Sequence, residues 1–156
     1  MPPTDEDAPR GRILVVDDQE DVCWVVAKLL SARGHETRTA GSGASALKVV
    51  AGFECQVALV DYRLPDGSGL ALIRELTSRW PRLRSILMTS YGSAALRQQV
   101  TDENLFAYFD KPFNNDLIVG AVEDAIRAWE AGDDSLAAGA RARTRFPGRA
   151  PSESLP

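Results

Sequence analysis

The sequence predicts an α/β fold in which a parallel sheet is covered by helices on both faces. Short apolar strands alternate with helical segments five times along the chain, a rhythm typical of such sheets. The third strand, residues 55–60, is nearly all apolar, as expected of a central strand buried on both faces. Polar residues follow the apolar strands, and right-handed crossovers bring the strand ends to one edge of the sheet. We therefore expect a polar site at that edge.

The individual elements follow from hydrophobic spacing. The predicted strands span residues 12–16, 36–40, 55–60, 85–88 and 105–109, and the predicted helices span 21–31, 44–50, 70–79, 93–100 and 116–129. The second strand is more polar, so we expect it to be less buried. The first helix has an apolar face at the i, i+3, i+4, i+7, i+8 spacing, formed by Val22, Val25, Val26, Leu29 and Leu30. Asn114 or Asn115 is expected to cap the last helix.

Charge and composition disfavour several classes of function. The chain has 156 residues, of which 44% are hydrophobic and 26% charged, as in one ordinary globular domain. The net charge of −4 argues against direct binding to nucleic acid, which usually needs a basic surface. No apolar run approaches the roughly 18 residues of a membrane span, and the acidic N-terminus lacks the features of a secretory signal. We therefore expect a cytoplasmic protein that does not bind a membrane.

Cysteine and histidine are too scarce to support a metal cluster or a nucleophile–histidine pair. Cys23 and Cys55 lie in apolar segments, so we predict that both are reduced core residues. His35 is the only histidine, lies in a polar turn and is predicted to be solvated. Zinc binding and Ser–His or Cys–His catalysis are poorly supported on these grounds. Carboxylates must then carry the chemistry.

Composition also divides the chain into three parts. Residues 1–11 are acidic and rich in proline, and we predict a disordered leader. Residues 12–130 hold all the predicted strands and helices and form one domain. Residues 131–156 are dominated by Ala, Gly, Arg, Pro and Ser without periodicity, and we predict a flexible tail because they bury too little apolar surface to offset the entropy of ordering.

Four of the five predicted strands end in residues that suit phosphate chemistry. These residues are Asp17 and Asp18, Asp61, Thr89 and Lys111. Three converging carboxylates repel one another, and a divalent cation such as Mg²⁺, which prefers oxygen ligands, relieves that repulsion. A lysine and a threonine hydroxyl suit phosphate oxygens. An aspartate in such a site can act as a nucleophile and form an aspartyl-phosphate.

The arrangement resembles the receiver domain of two-component response regulators. The match covers about residues 12–130 and consists of Asp17-Asp18, Asp61 in the context D-Y-R-L-P-D-G-S-G-L, Thr89, Lys111-Pro112 and the aromatic Tyr108. Each motif alone is weak, but the whole set in this order is specific. The resemblance implies a flavodoxin-like (βα)5 fold, a three-layer sandwich with strand order 2-1-3-4-5.

The resemblance also implies a separate role for each of the three aspartates. Asp61 is the phosphoacceptor. Mg²⁺ is bound directly by Asp18, Asp61 and the backbone carbonyl of Arg63. Asp17 acts mostly through a metal-bound water.

Three further residues are implied to bind phosphate or to move with it. Lys111 binds the phosphate, and its bond to Pro112 is expected to be cis, a form confined mainly to X-Pro bonds. On phosphorylation, Thr89 moves toward the phosphate and Tyr108 turns inward to fill the vacated space.

The implied partners are a phosphate donor and a downstream protein. The donor is a histidine kinase or a histidine phosphotransfer protein. Phosphorylation then shifts the preference of the face formed by the fourth helix, fifth strand and fifth helix for a downstream protein of unknown identity. The protein is expected to catalyse only its own phosphoryl transfer and dephosphorylation. We expect a stand-alone receiver, monomeric or forming a phosphorylation-promoted dimer, or else a piece of a longer regulator.

Two large side chains bear on the lifetime of a phosphoryl group on Asp61. Arg63 and Tyr91 stand two residues after Asp61 and Thr89, at positions that in the family flank the path of water to the phosphate. Both side chains are large, so we predict slow self-dephosphorylation.

Three alternatives remain open from the sequence. The first is a receiver-like binding module that is never phosphorylated. The second is dinucleotide binding, because residues 41–46 read G-x-G-x-x-A and Asp61 lies 20 residues after Gly41. The third is an aspartyl phosphohydrolase, which wants a second acid where this chain has Arg63.

Overall fold

The computed structural model describes residues 10–90, 96, 105–111 and 114–132. Within them a five-stranded parallel sheet has the order β2-β1-β3-β6-β7, and a small antiparallel hairpin, β4 with β5, follows β3. The strands are β1 (Arg12–Val16), β2 (Glu36–Ala40), β3 (Val57–Asp61), β4 (Arg63–Leu64), β5 (Gly67–Ser68), β6 (Arg84–Thr89) and β7 (Ala107–Asp110). Counting only the strands of the main sheet, this is the order 2-1-3-4-5. The predicted fold is confirmed.

Helices cover both faces of the sheet and make the three layers. Their bounds are α1 (Glu20–Ala32), α2 (Gly43–Gly52), α3 (Gly69–Arg79) and α4 (Asn115–Ala131). On one face α1 and α4 pack on alternate strand residues such as Ile13 and Leu59, and on the other face α2 and α3 pack on Leu14 and Val60. Each fully buried aliphatic side chain contributes about 1.5–3 kcal/mol relative to exposure. The two apolar layers therefore hold the sheet edge that carries the polar residues.

The predicted elements lie within two residues of the observed ones at almost every end. As expected, β2 is largely exposed, and the Asn114 side chain caps α4 by accepting hydrogen bonds from the N–H groups of Asp116 and Leu117. Cys23 and Cys55 are buried free thiols, as predicted.

The segment 63–68 is more ordered than a turn, because Arg63 pairs with Ser68 and Leu64 with Gly67.

The buried face of α1 is rotated relative to the prediction. Cys23, Val26 and Leu30 are buried, whereas Val25 is 43% exposed. The valines at the start of this helix occur on adjacent faces, so hydrophobicity alone does not show which of them are buried. Packing against α4 decides which stripe is buried.

The prediction of a solvated His35 is wrong, because its side chain is fully buried. Nδ1 accepts a hydrogen bond from the backbone N–H of Gly11, and Nε2 lies 3.0 Å from a carboxylate oxygen of Glu123. Arg33 donates two further hydrogen bonds to the same carboxylate. The turn is polar because it forms this cluster, and the partner that makes the cluster stands 88 residues away in the chain.

Several predictions fall outside the described residues. These are the 1–9 part of the leader, the tail from 133 onward, the fourth helix apart from Leu96, Tyr91 and the cis bond at Pro112. The division into leader, domain and tail therefore stays a prediction. Among the described residues, no helix is both long enough and apolar enough to cross a bilayer.

Candidate functional site

Asp61 lies at the centre of the polar edge, where its position is set by the sheet. It is the last residue of β3, which lies between β1 and β6, and it stands in register with Met88. The residue is only 7% exposed. Burial raises the pKa of the Asp61 carboxyl; the hydrogen bond from Lys111 opposes this shift, and the nearby Asp17 charge adds to it. The site therefore holds a partly desolvated carboxyl whose charged form is favoured by nearby positive charge.

Lys111 supplies that charge. Its Nζ lies 2.6 Å from Asp17 Oδ2 and 3.0 Å from Asp61 Oδ1. Its backbone N–H donates to the carbonyl of Thr89 at 2.7 Å, which ties the segment after β7 to the end of β6. Burial lowers the pKa of Lys111, but the hydrogen bonds to Asp17 and Asp61 outweigh burial and leave that pKa raised. Lys111 is thus a charged ammonium shared by two carboxylates.

Asp17 and Asp18 complete an acidic group of three with Asp61. One carboxylate oxygen from each lies within 4.8 Å of the others. Asp18 is exposed, whereas Asp17 is buried and uses both oxygens, one for Lys111 and one for the backbone N–H of Gln19 at 2.9 Å. Three convergent oxygen donors of this kind fit a hard divalent cation. The residues present are therefore suited to hold Mg²⁺.

A cavity of about 300 Å³ opens beside these carboxylates. The described residues that line it are Asp18, Gln19, Asp61, Arg63, Leu64, Pro65, Ser90 and Lys111. Arg63, Leu64 and Pro65 of the hairpin segment thus form one wall of the cavity. Of the lining residues, Gln19, Ser90, Leu64 and Pro65 were not predicted as site residues from the sequence, although each directly follows or lies near one.

Thr89 and Tyr108 are both buried, with different surroundings. Thr89 ends β6 and is fully buried, and Ser90 is the neighbour that lines the cavity. Tyr108 belongs to the core layer under α2 and α3, and its hydroxyl donates to Asp110 Oδ1 at 3.0 Å. The ring of Tyr108 is already buried in this structure, and its expected inward turn on phosphorylation stays a prediction.

The wall of the cavity is held by Asp66. Its two carboxylate oxygens each accept one hydrogen bond of 2.9 Å, from the backbone N–H groups of Gly43 and Ala44 at the start of α2. These two bonds lower the pKa of Asp66. The next N–H, that of Ser45, is bonded to the side chain of Ser42. A dinucleotide pyrophosphate needs these same N–H groups, so the geometry of the G-x-G-x-x-A segment argues against dinucleotide binding.

Known protein families and proteins resemble this chain in sequence. A family model described as the response regulator receiver domain matches residues 13–123. The DNA-binding transcriptional regulator NtrC of Escherichia coli (strain K12) is 34% identical over 121 residues, which are 78% of this chain and 26% of that protein. The regulatory protein AtoC of the same strain is 32% identical over 117 residues, which are 75% of this chain and 25% of that protein.

Solved structures show the same fold. The crystal structure of NtrX from Brucella abortus in complex with ADP has a TM-score of 0.75 and 29% identity, covering 81% of this chain and 29% of that one. A CheY-like response regulator receiver domain protein from Methanospirillum hungatei JF-1 has a TM-score of 0.74 and 24% identity, covering 80% of this chain and 99% of that one. The chain spans about a quarter of the length of the curated relatives cited above.

Proposed function

This chain belongs to the response regulator receiver domain family, and on that premise we propose that Asp61 accepts a phosphoryl group from the phosphohistidine of a partner protein. The observation that carries the proposal is the buried Asp61 carboxylate, which is 3.0 Å from the Lys111 ammonium and beside two further carboxylates. A merely structural aspartate does not need this combination of a shared cation and an open cavity.

The proposed transfer is a displacement at phosphorus. An oxygen of Asp61 attacks the phosphorus atom, a P–O bond forms, and the P–N bond of the phosphohistidine breaks with its electron pair going to the ring nitrogen. Lys111 turns from the carboxylates to the transferred phosphate and holds one of its oxygens as a point charge. Thr89 donates its hydroxyl to a second oxygen. These contacts place charge where the reaction develops it.

We propose that Mg²⁺ assists, held directly by Asp18, Asp61 and the backbone carbonyl of Arg63. When bound, it supplies positive charge that neutralises the phosphoryl oxygens. Asp17 has both oxygens engaged, by Lys111 and by the N–H of Gln19. This engagement supports an indirect role for Asp17, through a metal-bound water.

The proposed output is a shift between two conformations of the surface around β7. Thr89 and Lys111 lie at the ends of β6 and β7, and Tyr108 lies within β7. Contacts from the new phosphate to Thr89 and Lys111 favour the inward position of Tyr108. The surface formed by β7, α4 and the predicted helix at residues 93–100 then changes its preference for a downstream protein. Dimerisation through this face is a second form of output.

The proposed donor is a histidine kinase or a histidine phosphotransfer protein, in the cytoplasm. Two large apolar side chains are exposed near the starts of α1 and α4. Trp24 is 64% exposed on α1, which begins directly after Gln19, and Leu117 is 42% exposed in the first turn of α4. Exposed large apolar groups can mark a contact surface. We propose that the donor protein packs here while its histidine reaches Asp61.

The test is phosphorylation by a small donor. The chain is incubated with acetyl phosphate and Mg²⁺, and its intact mass is measured. The parent is expected to gain one phosphoryl group, whereas Asp61→Asn is expected to gain none. Equal labelling of the two proteins rules out Asp61 as the acceptor, and absence of labelling in both supports a binding module that is never phosphorylated.

A further inference from the structure

Gln19 lies at the mouth of the site with its backbone held and its side chain uncommitted. Its backbone N–H donates to Asp17 Oδ1 at 2.9 Å, and its carbonyl accepts from the N–H groups of Val22 and Cys23 in the first turn of α1. Its side chain makes no capping bond to that helix, is exposed and lines the cavity shared by Asp61 and Lys111. The backbone contacts therefore fix Gln19 beside the cavity, and its side-chain carboxamide has no cap bond to α1.

The proposed roles of the other lining residues do not include positioning a water molecule. Asp18, Asp61 and Lys111 have proposed roles toward the cation and phosphate, and the guanidinium of Arg63 only donates hydrogen bonds. Of the described side chains that line the cavity, Gln19 and Ser90 are the neutral ones that both donate and accept. The Gln19 side chain is the longer of the two and separates its donor from its acceptor. It is therefore the better suited to reach over a phosphoryl group.

We propose that the carboxamide of Gln19 positions the water molecule that hydrolyses phosphorylated Asp61, and so sets how long the receiver stays phosphorylated. The inference rests on the proposed function of Asp61. The water oxygen attacks phosphorus as the P–O bond to Asp61 breaks. Asp61 keeps the electron pair as a carboxylate, and the product leaves as dihydrogen phosphate with both protons of the water. The amide oxygen of Gln19 accepts a hydrogen bond from the water and orients it, a positioning role known for glutamine in phosphoryl transfer.

The test separates phosphorylation from its decay. The parent, Gln19→Leu and Gln19→Glu are phosphorylated with acetyl phosphate and Mg²⁺, freed of donor, and followed by intact mass. Gln19→Leu is expected to become labelled at the parental rate but to lose its label about tenfold more slowly, the rate equivalent of one hydrogen bond. Gln19→Glu keeps an acceptor oxygen at the same distance from the backbone and is expected to decay faster than Gln19→Leu.

Controls distinguish this role from a structural one. Glu20→Gln alters the next residue of the same turn, which does not line the cavity, and its decay is expected to match the parent. Parental melting temperatures show that the variants are folded. Parental decay in Gln19→Leu, equal slowing of labelling and decay, or equally slow decay in Gln19→Glu would each overturn the inference while leaving Asp61 as acceptor. Absence of Asp61-dependent labelling in the parent overturns the proposed function and this inference together.

Discussion

The ammonium of Lys111 counteracts two effects that raise the pKa of Asp61. Asp61 is desolvated and faces the charge of Asp17, and both effects raise its pKa. Lys111 lies within 3.0 Å of both carboxylates and lowers that pKa again. Loss of this contact therefore leaves burial and the Asp17 charge unopposed and raises the pKa of Asp61 further.

Removal of this ammonium is expected to disable the site. Lys111→Met keeps the length of the side chain but leaves Asp17 and Asp61 opposed, so Asp61 is expected to become phosphorylated at least about tenfold more slowly. The measurement is the rate of mass gain with acetyl phosphate and Mg²⁺. Lys28→Met removes an exposed lysine that lies over Trp24, and it should label like the parent. Parental labelling of Lys111→Met contradicts the assigned role.

The side chains of Arg63 and Tyr91 are expected to slow the loss of the phosphoryl group. Arg63 lines the cavity, and Tyr91 is its predicted counterpart on the other side of the path of water. Replacing both by alanine is expected to shorten the lifetime of the phosphoryl group several-fold, because water then reaches phosphorus more freely. The decay is followed by intact mass after the donor is removed. An unchanged lifetime in the double variant refutes the idea that these two side chains slow dephosphorylation.

At the scale of elements, the segment from β3 to α3 is folded tightly next to Asp61. The N–H of Gly69 donates to the carbonyl of Tyr62 at 2.7 Å, and Asp66 ties the hairpin to the start of α2. Gly69 is helical, so its conformation alone does not require glycine. A Cβ atom at this position would overlap the carbonyl oxygen of Asp61. The close approach of α3 to the end of β3 is what demands glycine here.

Paired glycine substitutions test this close approach. Gly69→Ala is expected to destabilise the fold by about 1–3 kcal/mol, because the backbone at Asp61 must shift. Gly120→Ala, in the middle of α4, has nothing within 4 Å of the new Cβ and is expected to stabilise by about 0.5–1 kcal/mol through helix propensity. Denaturant unfolding measures both. Gly69→Ala with parental stability and parental labelling shows that the contact is readily relieved.

At the scale of the whole molecule, a buried cluster joins segments that are far apart in sequence. Glu123 of α4 binds Arg33 and His35 from the turn after α1, and His35 binds the N–H of Gly11 before β1. The cluster lies where β1 begins, at the opposite end of the sheet from Asp61. It holds α4, the helix that contributes to the proposed output face, against the sheet.

This cluster predicts a defined loss of stability in acid. Burial raises the pKa of Glu123, but the hydrogen bonds from Arg33 and His35 outweigh burial and lower that pKa below its ordinary value of 4.5. A depressed pKa adds stability that is fully present above pH 4.5 and is lost as the pH falls through the folded-state pKa. Glu123→Gln is expected to cost about 1–3 kcal/mol near pH 7 and progressively less below pH 4.5.

The measurement is the free energy of unfolding as a function of pH. Asp124→Asn serves as the control, since its exposed pair with Arg127 should contribute little at any pH. If the parent and Glu123→Gln show the same difference in free energy at pH 7 and at pH 3, the ionised carboxylate is not the source of the stability.

What the sequence by itself determined is the fold class, the strand order expected from the resemblance, and the convergence of Asp17, Asp18, Asp61 and Lys111. Alternation of elements and the handedness of crossovers are local or topological rules, so they can be applied without coordinates. Only the tertiary structure decided that Gln19 and Ser90 line the cavity, that Asp66 closes the start of α2 and that His35 is buried against Glu123. Those contacts depend on side chains brought together from distant segments or aimed by a backbone turn, and neither hydrophobic period nor residue spacing encodes such directions.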